Sequence, residues 1–291
     1  MARPGQRRRF KQVDVFTGVP FKGNPLAVVL DADGLSASQM QAIARWTNLS
    51  ETTFVLAPTS GDADYRVRIF HPGGEFAFAG HPTLGTAHAL IEHGLVPRQA
   101  GCLIQECGVG LVPVDLLGGD ALAFRAPAAT LEPLPETRYA RLSEALRTDA
   151  WQVGAAPLIV RMGIGWLVVE MPTAEACLSV EPRADLLLQL LRDEMDGVAG
   201  VALHGPYAPG AAVDMEVRAF FDKNGVLAED PVTGSANACV AWVLQARRPG
   251  GYLARQGTCV NADGRVGVTY RDGYPWIGGQ SITVIDGTLF A

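Results

Sequence analysis

Apolar and polar positions alternate along the first third of the chain. "QVDVFTG" and "LAVVLDA" carry the period-two pattern of strands, and "GVPFKGNP" between them is a loop rich in Gly and Pro. The period then lengthens. In "SASQMQAIARWTN", Met40, Ile43, Ala44 and Thr47 share one helical face, and Ser36 with Gln39 forms a capping box ahead of it. "ETTFVLA" and "YRVRIFH" return to strands, and residues 82–93 have helical spacing. The middle, "LIQECGVGLVPVDLLGGDALAFRAPA", reads as short strands broken by Gly turns, and "LPETRYARLSEALR" as a helix. Strands over "LIVRMGIGWLVVEM", a helix over "RADLLLQLLRDEM" and strands over "GVALHG" and "MEVRAFF" follow. A helix over "SANACVAWVLQ" and a tail of strands ("RVGVTY", "YPWIGG", "SITVI") complete the pattern.

The order of elements repeats, and residue identities repeat with it. "VRIF" at Val67 matches "VRAF" at Val217, an offset of 217 − 67 = 150. "HPTLGTAHA" at His81 matches "DPVTGSANA" at Asp230, an offset of 230 − 81 = 149, which sets Gly85 on Gly234 and Thr86 on Ser235. Pro58 matches Pro206. Offsets that slip by one residue in the turns are what homologous halves show. The expected organisation is an N-terminal half over 1–128, rejoined by the last strand at about 283–291, and a C-terminal half over 129–282.

Composition narrows the function class. The 291 residues are enough for two domains, and no apolar run reaches the ~18 residues of a membrane helix. A net charge of −6 argues against nucleic acid as a partner. The one basic cluster, "RRRF", reads as a solvated, frayed terminus, and no apolar stretch follows it as a secretory signal requires. Five cysteines, with no CxxC pair, speak against a disulfide framework or a zinc site, and a reducing cytoplasm is the expected compartment.

The two matched stretches carry the chemistry. Asp230 before Pro231 is by itself a good helix start, since Asp is a favoured N-cap and Pro a favoured first residue. His81 before Pro82 fits that role poorly. Two pseudo-equivalent halves would bring two helix N-termini, each with unpaired N–H groups and a partial positive charge, toward a shared cleft suited to a small carboxylate. His81 and Asp230 would border it. Glu51 opens the apolar run "ETTFVL", and its counterpart in the second half is Ala199. Such an asymmetric acid is either an exposed strand-edge glutamate or a general base. His88 and His93 lie about 140° apart around their helix, so they make no metal site with His81.

"FKGNPLAVVL", "NLSETTFVL", "YRVRIFHPGGEFAFAGHPTLGTA" and "EDPVTGSAN", in that order, resemble the PhzF family of phenazine-biosynthesis-like isomerases, which is similar in fold to the diaminopimelate epimerases. The resemblance runs from about Val13 to the "GGQSITVIDGTL" tail. It implies an α/β (α+β) fold of two pseudo-symmetric domains, each a curved sheet wrapped around a central helix, with the active site in the cleft between them. It implies a homodimer working without metal or organic cofactor. A glutamate matching Glu51 shuttles a proton on trans-2,3-dihydro-3-hydroxyanthranilate in that family. Positions matching His81, Asp230 and Ser235 surround the substrate, with backbone groups of Gly80 and Gly234 nearby and Asn24 lining the cleft. The related epimerases and proline racemases use two cysteines at the helix starts. Here those places hold Ala79-Gly80 and Asp230, which disfavours two-thiol chemistry. Arg45, Trp46, Phe76 and Phe78 are departures that leave the substrate open.

The expected activity is cofactor-independent isomerisation or epimerisation of a small carboxylate by acid–base proton transfer. The alternative is a non-catalytic protein on the same fold that binds a small carboxylate. Neither nucleic acid nor membrane is an expected partner.

Overall fold

The period-two stretches of the first third form strands around one buried helix. The computed structural model describes residues 5–195, 197–223 and 225–291, and the chain divides into two units: residues up to Arg125 with Gly278–Ala291, and Ala126–Ile277. The first unit holds β1 (Arg7–Val15), β2 (Asn24–Val29), α1 (Ala37–Thr47), β3 (Glu51–Leu56), β4 (Tyr65–His71), β5 (Gly74–Phe76), α2 (Gly80–Glu92), β6 (Cys102–Cys107), β7 (Gly110–Gly118) and β8 (Ala121–Arg125). β2 pairs antiparallel with β1 and parallel with β3; β4 pairs antiparallel with β3 and β5, and parallel with β6; β6, β7 and β8 continue antiparallel.

Arg7 to Phe10 is not a frayed terminus. It is the start of β1, because this strand finds a partner on each side: β2 and the C-terminal run from Ser281 to Phe290. Arg8 is buried and donates to the carbonyls of Asp31 and Asp33, and Arg9 pairs with the Asp31 carboxylate.

α2 is the core of this unit. Its residues from Gly80 through Ala87 are all buried, as a helix covered on every side requires. Small residues make the close approach: a Cβ on Gly85 would lie 2.6 Å from Leu26 Cδ2 and 2.8 Å from Val15 Cγ2. On the opposite face of the sheet α1 packs Met40 and Ala44 against Val29, Phe54, Leu56 and Phe70. The capping box of α1 forms as its sequence predicts, with the Ser36 side chain accepting from Gln39 N and the Gln39 side chain from Ser36 N.

The second unit holds β9 (Thr130–Pro133), α3 (Tyr139–Leu146), β10 (Leu158–Met162), β11 (Ile164–Glu170), α4 (Ala174–Leu178), α5 (Ala184–Glu194), β12 (Val198–Pro206), β13 (Met215–Lys223), β14 (Val226–Asp230), α6 (Gly234–Leu244), β15 (Tyr252–Gln256) and β16 (Gly264–Arg271). β17 (Tyr274–Phe290) starts here and belongs to the first unit from Gly278 onward. The pairings repeat those of the first unit: β10–β11 antiparallel, β11–β12 parallel, β12–β13 and β13–β14 antiparallel, β13–β15 parallel, β15–β16 antiparallel. α6 is buried from Gly234 to Ala241 and takes the place of α2. Outside the sheet, Leu142, Leu187 and Leu190 of α3 and α5 pack on Val201, Leu203 and Phe220. The fold is thus the pseudo-symmetric mixed α/β arrangement that the repeat predicts. Among the described residues, no helix is long and apolar enough to cross a membrane.

Candidate active site

In the first unit three of the expected residues start elements at one end of the sheet. Asn24, fully buried, begins β2, where it lies opposite Val15. It follows a loop, residues 16–23, that is tied to the buried Asp14 carboxylate by the N–H groups of Lys22 (2.9 Å) and Gly23 (3.1 Å). Phe16 and Phe21 in that loop adopt left-handed backbone, φ 66° and 68°, a strained state for an aromatic residue. Glu51 begins β3, in register with Leu26. α1 delivers it there by ending at Asn48 in the left-handed conformation. Behind Glu51, Thr53 is fully buried and accepts from Thr86 of α2 at 2.8 Å, which ties strand to helix.

His81 stands in the first turn of α2, and its Nε2 lies 3.3 Å from Glu51 Oε2. The side chains are 7% and 14% exposed, so the contact is nearly out of water. It lacks hydrogen-bond alignment. Burial pushes the His81 pKa down to about 3. A carboxylate nearby pulls the other way. Burial dominates because an unaligned contact returns less than desolvating an imidazolium costs. His81 is therefore a neutral imidazole at pH 7.

The helix starts differ from expectation. α2 begins at Gly80, so His81 and Pro82 belong to its first turn and do not precede it. Ala79 at the N-cap supplies no side-chain cap, which leaves first-turn N–H groups of α2 without a capping side chain. In the second unit Asp230 is not the N-cap. It ends β14 opposite Ala219, Pro231 lies outside the helix, and Thr233 stands at the N-cap of α6 without a capping side-chain bond. The reason is tertiary. Gln256 on β15 accepts from Thr233 N at 3.0 Å and from Asn237 Nδ2 at 2.8 Å, and donates to Asp230 O and Thr233 Oγ1 at 3.1 and 3.0 Å. Those bonds fix where α6 begins.

Asp230 is buried, and its Oδ2 accepts from Thr233 Oγ1 at 2.5 Å. Gly234 is the first residue of α6 and Ser235 the second; Trp166 Nε1–H donates to Ser235 Oγ at 3.1 Å. Asp230, Gly234 and Ser235 thus form one group in the second unit, as Asn24, Glu51, Gly80 and His81 do in the first.

A supporting layer was missed in the sequence. In the first unit Tyr65 OH donates to Gln105 Oε1 at 3.1 Å, Gln105 Nε2 to Thr83 Oγ1 at 3.0 Å, and Thr83 Oγ1 to Ala79 O at 2.9 Å. All these side chains are buried. Gln105 on β6 and Gln256 on β15 hold corresponding places in the repeat, 256 − 105 = 151 residues apart. Each binds a threonine at the start of its unit's central helix. A polar residue in an inward strand position of both halves was the available signal.

The departures resolve individually. Phe78 is core, edge-on to Phe124; Phe76 stacks on His71; Trp46 stands 80% exposed on α1; Arg45 donates to Pro72 O. All five cysteines are free, and none starts α2 or α6. Burial pushes the thiols of Cys177 and Cys239 well up, the reverse of what a thiolate base needs. Among the described residues, no three His, Cys, Asp or Glu side chains cluster to hold a metal.

Comparison with known proteins adds to this geometry. The sequence model of a family described as "Phenazine biosynthesis-like protein" matches residues 13–287. The chain is 36% identical over 297 residues to antisense-enhancing sequence 1 of Schizosaccharomyces pombe, with 97% of this chain and 98% of that protein covered. It is 34% identical over 245 residues to the trans-2,3-dihydro-3-hydroxyanthranilate isomerase of Pseudomonas aeruginosa, covering 82% of this chain and 81% of that one. Among solved structures, a PhzF-family phenazine biosynthesis protein of Bacillus anthracis superimposes with a TM-score of 0.84 at 25% identity, over 98% of this chain and 100% of the other.

Proposed function

The chain belongs to the phenazine biosynthesis-like (PhzC-PhzF) family and is an isomerase; we propose that it moves a proton between carbons of a small cyclic carboxylate without a cofactor, with trans-2,3-dihydro-3-hydroxyanthranilate as the first substrate to test. The contact of Glu51 with His81 carries this reading: an acid and a neutral imidazole 3.3 Å apart, nearly out of water. Glu51 takes a proton from one carbon, the electron pair of that C–H bond shifts through the adjacent unsaturation, and the Glu51 carboxyl, whose proton exchanges with solvent whenever the site opens, delivers a proton to form the new C–H bond at another carbon. His81, being uncharged, neither repels a proton on Glu51 nor neutralises the carboxylate. It stands against the acid at 3.3 Å and limits where the carboxyl can turn. Asp230 binds the substrate amine. Ser235 and the N–H groups at Gly80 and Gly234 bind its carboxylate, where helix N-termini favour negative charge. Asn24 lines the same site.

The test is turnover in heavy water followed by proton NMR. Wild-type protein is expected to place deuterium at the reacting carbon of the product. Glu51→Gln keeps the shape but cannot accept a proton, so turnover and exchange both fall by at least ~10²-fold. Exchange by Glu51→Gln at the wild-type rate would refute the assignment of the base. Binding of the same carboxylate with no exchange in the wild type would favour a non-catalytic protein.

A further inference from the structure

The first unit carries a cavity of about 600 Å³ that none of the proposed site residues lines. Its walls include Arg66, Arg68, Glu75, Phe76, Cys107 and Gly108. Arg66 and Arg68 alternate along β4 with Val67 and Ile69, which are buried. In register they face Leu56 and Phe54, both members of the core beneath α1. Arg66, Arg68 and Glu75 therefore stand on the α1 side of the sheet, while Phe76, opposite Ile69, and Cys107 alternate to the other side, so the cavity lies at the gap that β5 and β6 leave along β4.

The two arginines differ. Arg68 is engaged: its Nε and Nη2 donate to the two oxygens of Glu75 at 2.7 and 2.6 Å. Arg66 makes no hydrogen bond or ion pair among the described residues, and its Nε is out of water without a partner. The acid whose field it feels, Glu106, is already held by the N–H groups of Thr59 and Ser60. A half-buried guanidinium with no anion is costly, and its planar fork matches a carboxylate. Arg66, Arg68 and Glu75 leave one net positive charge in the lining. Cys107 adds no negative charge, because burial holds its thiol protonated. Phe76, Ala77 and Gly108 supply an apolar wall. The volume is that of a small-metabolite site and is too large for an inorganic anion alone.

We propose that this cavity binds a small monocarboxylate with an apolar body, the carboxylate on Arg66 and the apolar body against Ala77 and Gly108. The site is separate from the proposed reaction and does not depend on it. Its floor is built for close approach: a Cβ on Gly108 would lie 2.7 Å from Ala77 Cα. Ala77 stands three residues before Gly80, so the occupant rests on the segment that leads into α2.

Benzoate is the probe, added to the full-length ¹⁵N-labelled protein with the Ala77 and Gly108 amide resonances as local reporters. Both are expected to shift saturably with benzoate. Arg66→Met should weaken that response at least tenfold while leaving turnover and melting temperature unchanged, and inorganic phosphate should bind more weakly than benzoate. Arg66→Gln is the second variant if the methionine impairs folding. The proposal is overturned if the two amides do not respond in the wild type, if either Arg66 variant responds with wild-type affinity, or if phosphate binds as tightly as benzoate.

Discussion

At the scale of single residues, two buried histidines set the response to acid. Burial lowers the pKa of His81 from 6.5 to about 3 and that of His204 to about 4. A folded-state pKa below the unfolded value means that the native protein binds fewer protons than the unfolded chain. The stability this contributes is complete above pH ~6.5 and is lost as the pH falls through the folded values, at up to about 1.4 kcal/mol per pH unit for each imidazole. His81 has a reason to be buried beside Glu51. His204 on β12 has both ring nitrogens without hydrogen-bond partners, and the charged groups that bear on it are Glu170, Arg247 and Arg248. His204→Leu removes a titrating group and breaks no hydrogen bond. Urea unfolding between pH 7.5 and 4.5 should therefore show wild-type stability falling steeply below pH ~6.5, and a shallower fall for the variant. An unchanged slope would show that His204 is already protonated or hydrated in the native state. His81 was legible in the sequence because histidine explains a helix start so poorly. His204, inside the ordinary strand pattern "GVALHG", was not.

At the scale of elements, helices α2 and α6 were legible as helices, but their first residues were not. The Asp-Pro rule for a helix start is local, whereas Asp230 is claimed by the ladder with β13 and Thr233 by Gln256, which is 23 residues further on. The capping box of α1 was read correctly because all its partners lie within four residues. The short strands β5, β9 and β14 went unread, since three to five residues carry too little period. The glutamine behind each helix start is the testable part. Gln256→Leu keeps approximate volume and removes every bond that Gln256 makes, leaving Thr233 N buried without its acceptor, while Asn237 Nδ2 keeps only its bond to Thr233 O. The orphaned N–H costs about 1–3 kcal/mol, and the other lost bonds add to it. Chemical denaturation should show a loss of at least ~2 kcal/mol, and steady-state kinetics a rise in KM that exceeds any fall in kcat, because the proposed binding residues Asp230 and Gly234 lose their placement while the proposed base, Glu51, keeps its own. A variant with wild-type stability and KM would reduce Gln256 to space-filling.

At the scale of the whole molecule, the chain closes on itself. The first unit is incomplete until its last residues arrive, because β1 lies between β2 and the C-terminal run of β17, and all nine residues of β1 are paired with it. Side chains reinforce the ladder. Lys11, whose side chain is only 5% exposed, pairs with Glu92 of α2 and with Asp286 of β17, and Thr283 donates to Glu92 at 2.6 Å. The repeat could not show this dependence, since matching one half to the other says nothing about which half owns the tail. A chain ending at Ile277 keeps every strand pair from β10 to β16, loses the β17 partner of β1, and shortens the β17 strand that also lies beside β8 and β16. Each ladder bond contributes about 1 kcal/mol net, against a typical domain stability of about 5–15 kcal/mol, so the loss is large for the first unit and falls on the second only at β16. Hydrogen exchange on the truncated protein is therefore expected to show protection retained in β11, β12 and α6 but lost in β1, β2 and α2. Solvent exchange on the substrate should vanish with it, because Glu51 and His81 are held by β3 and α2. A synthetic peptide of residues 278–291 should restore protection in β1 when added in excess, by refilling the vacated edge. Undiminished protection of β1 in the truncated chain would show that β2 alone suffices to hold it, and the proposed proton-transfer site would then not depend on the C-terminal strand.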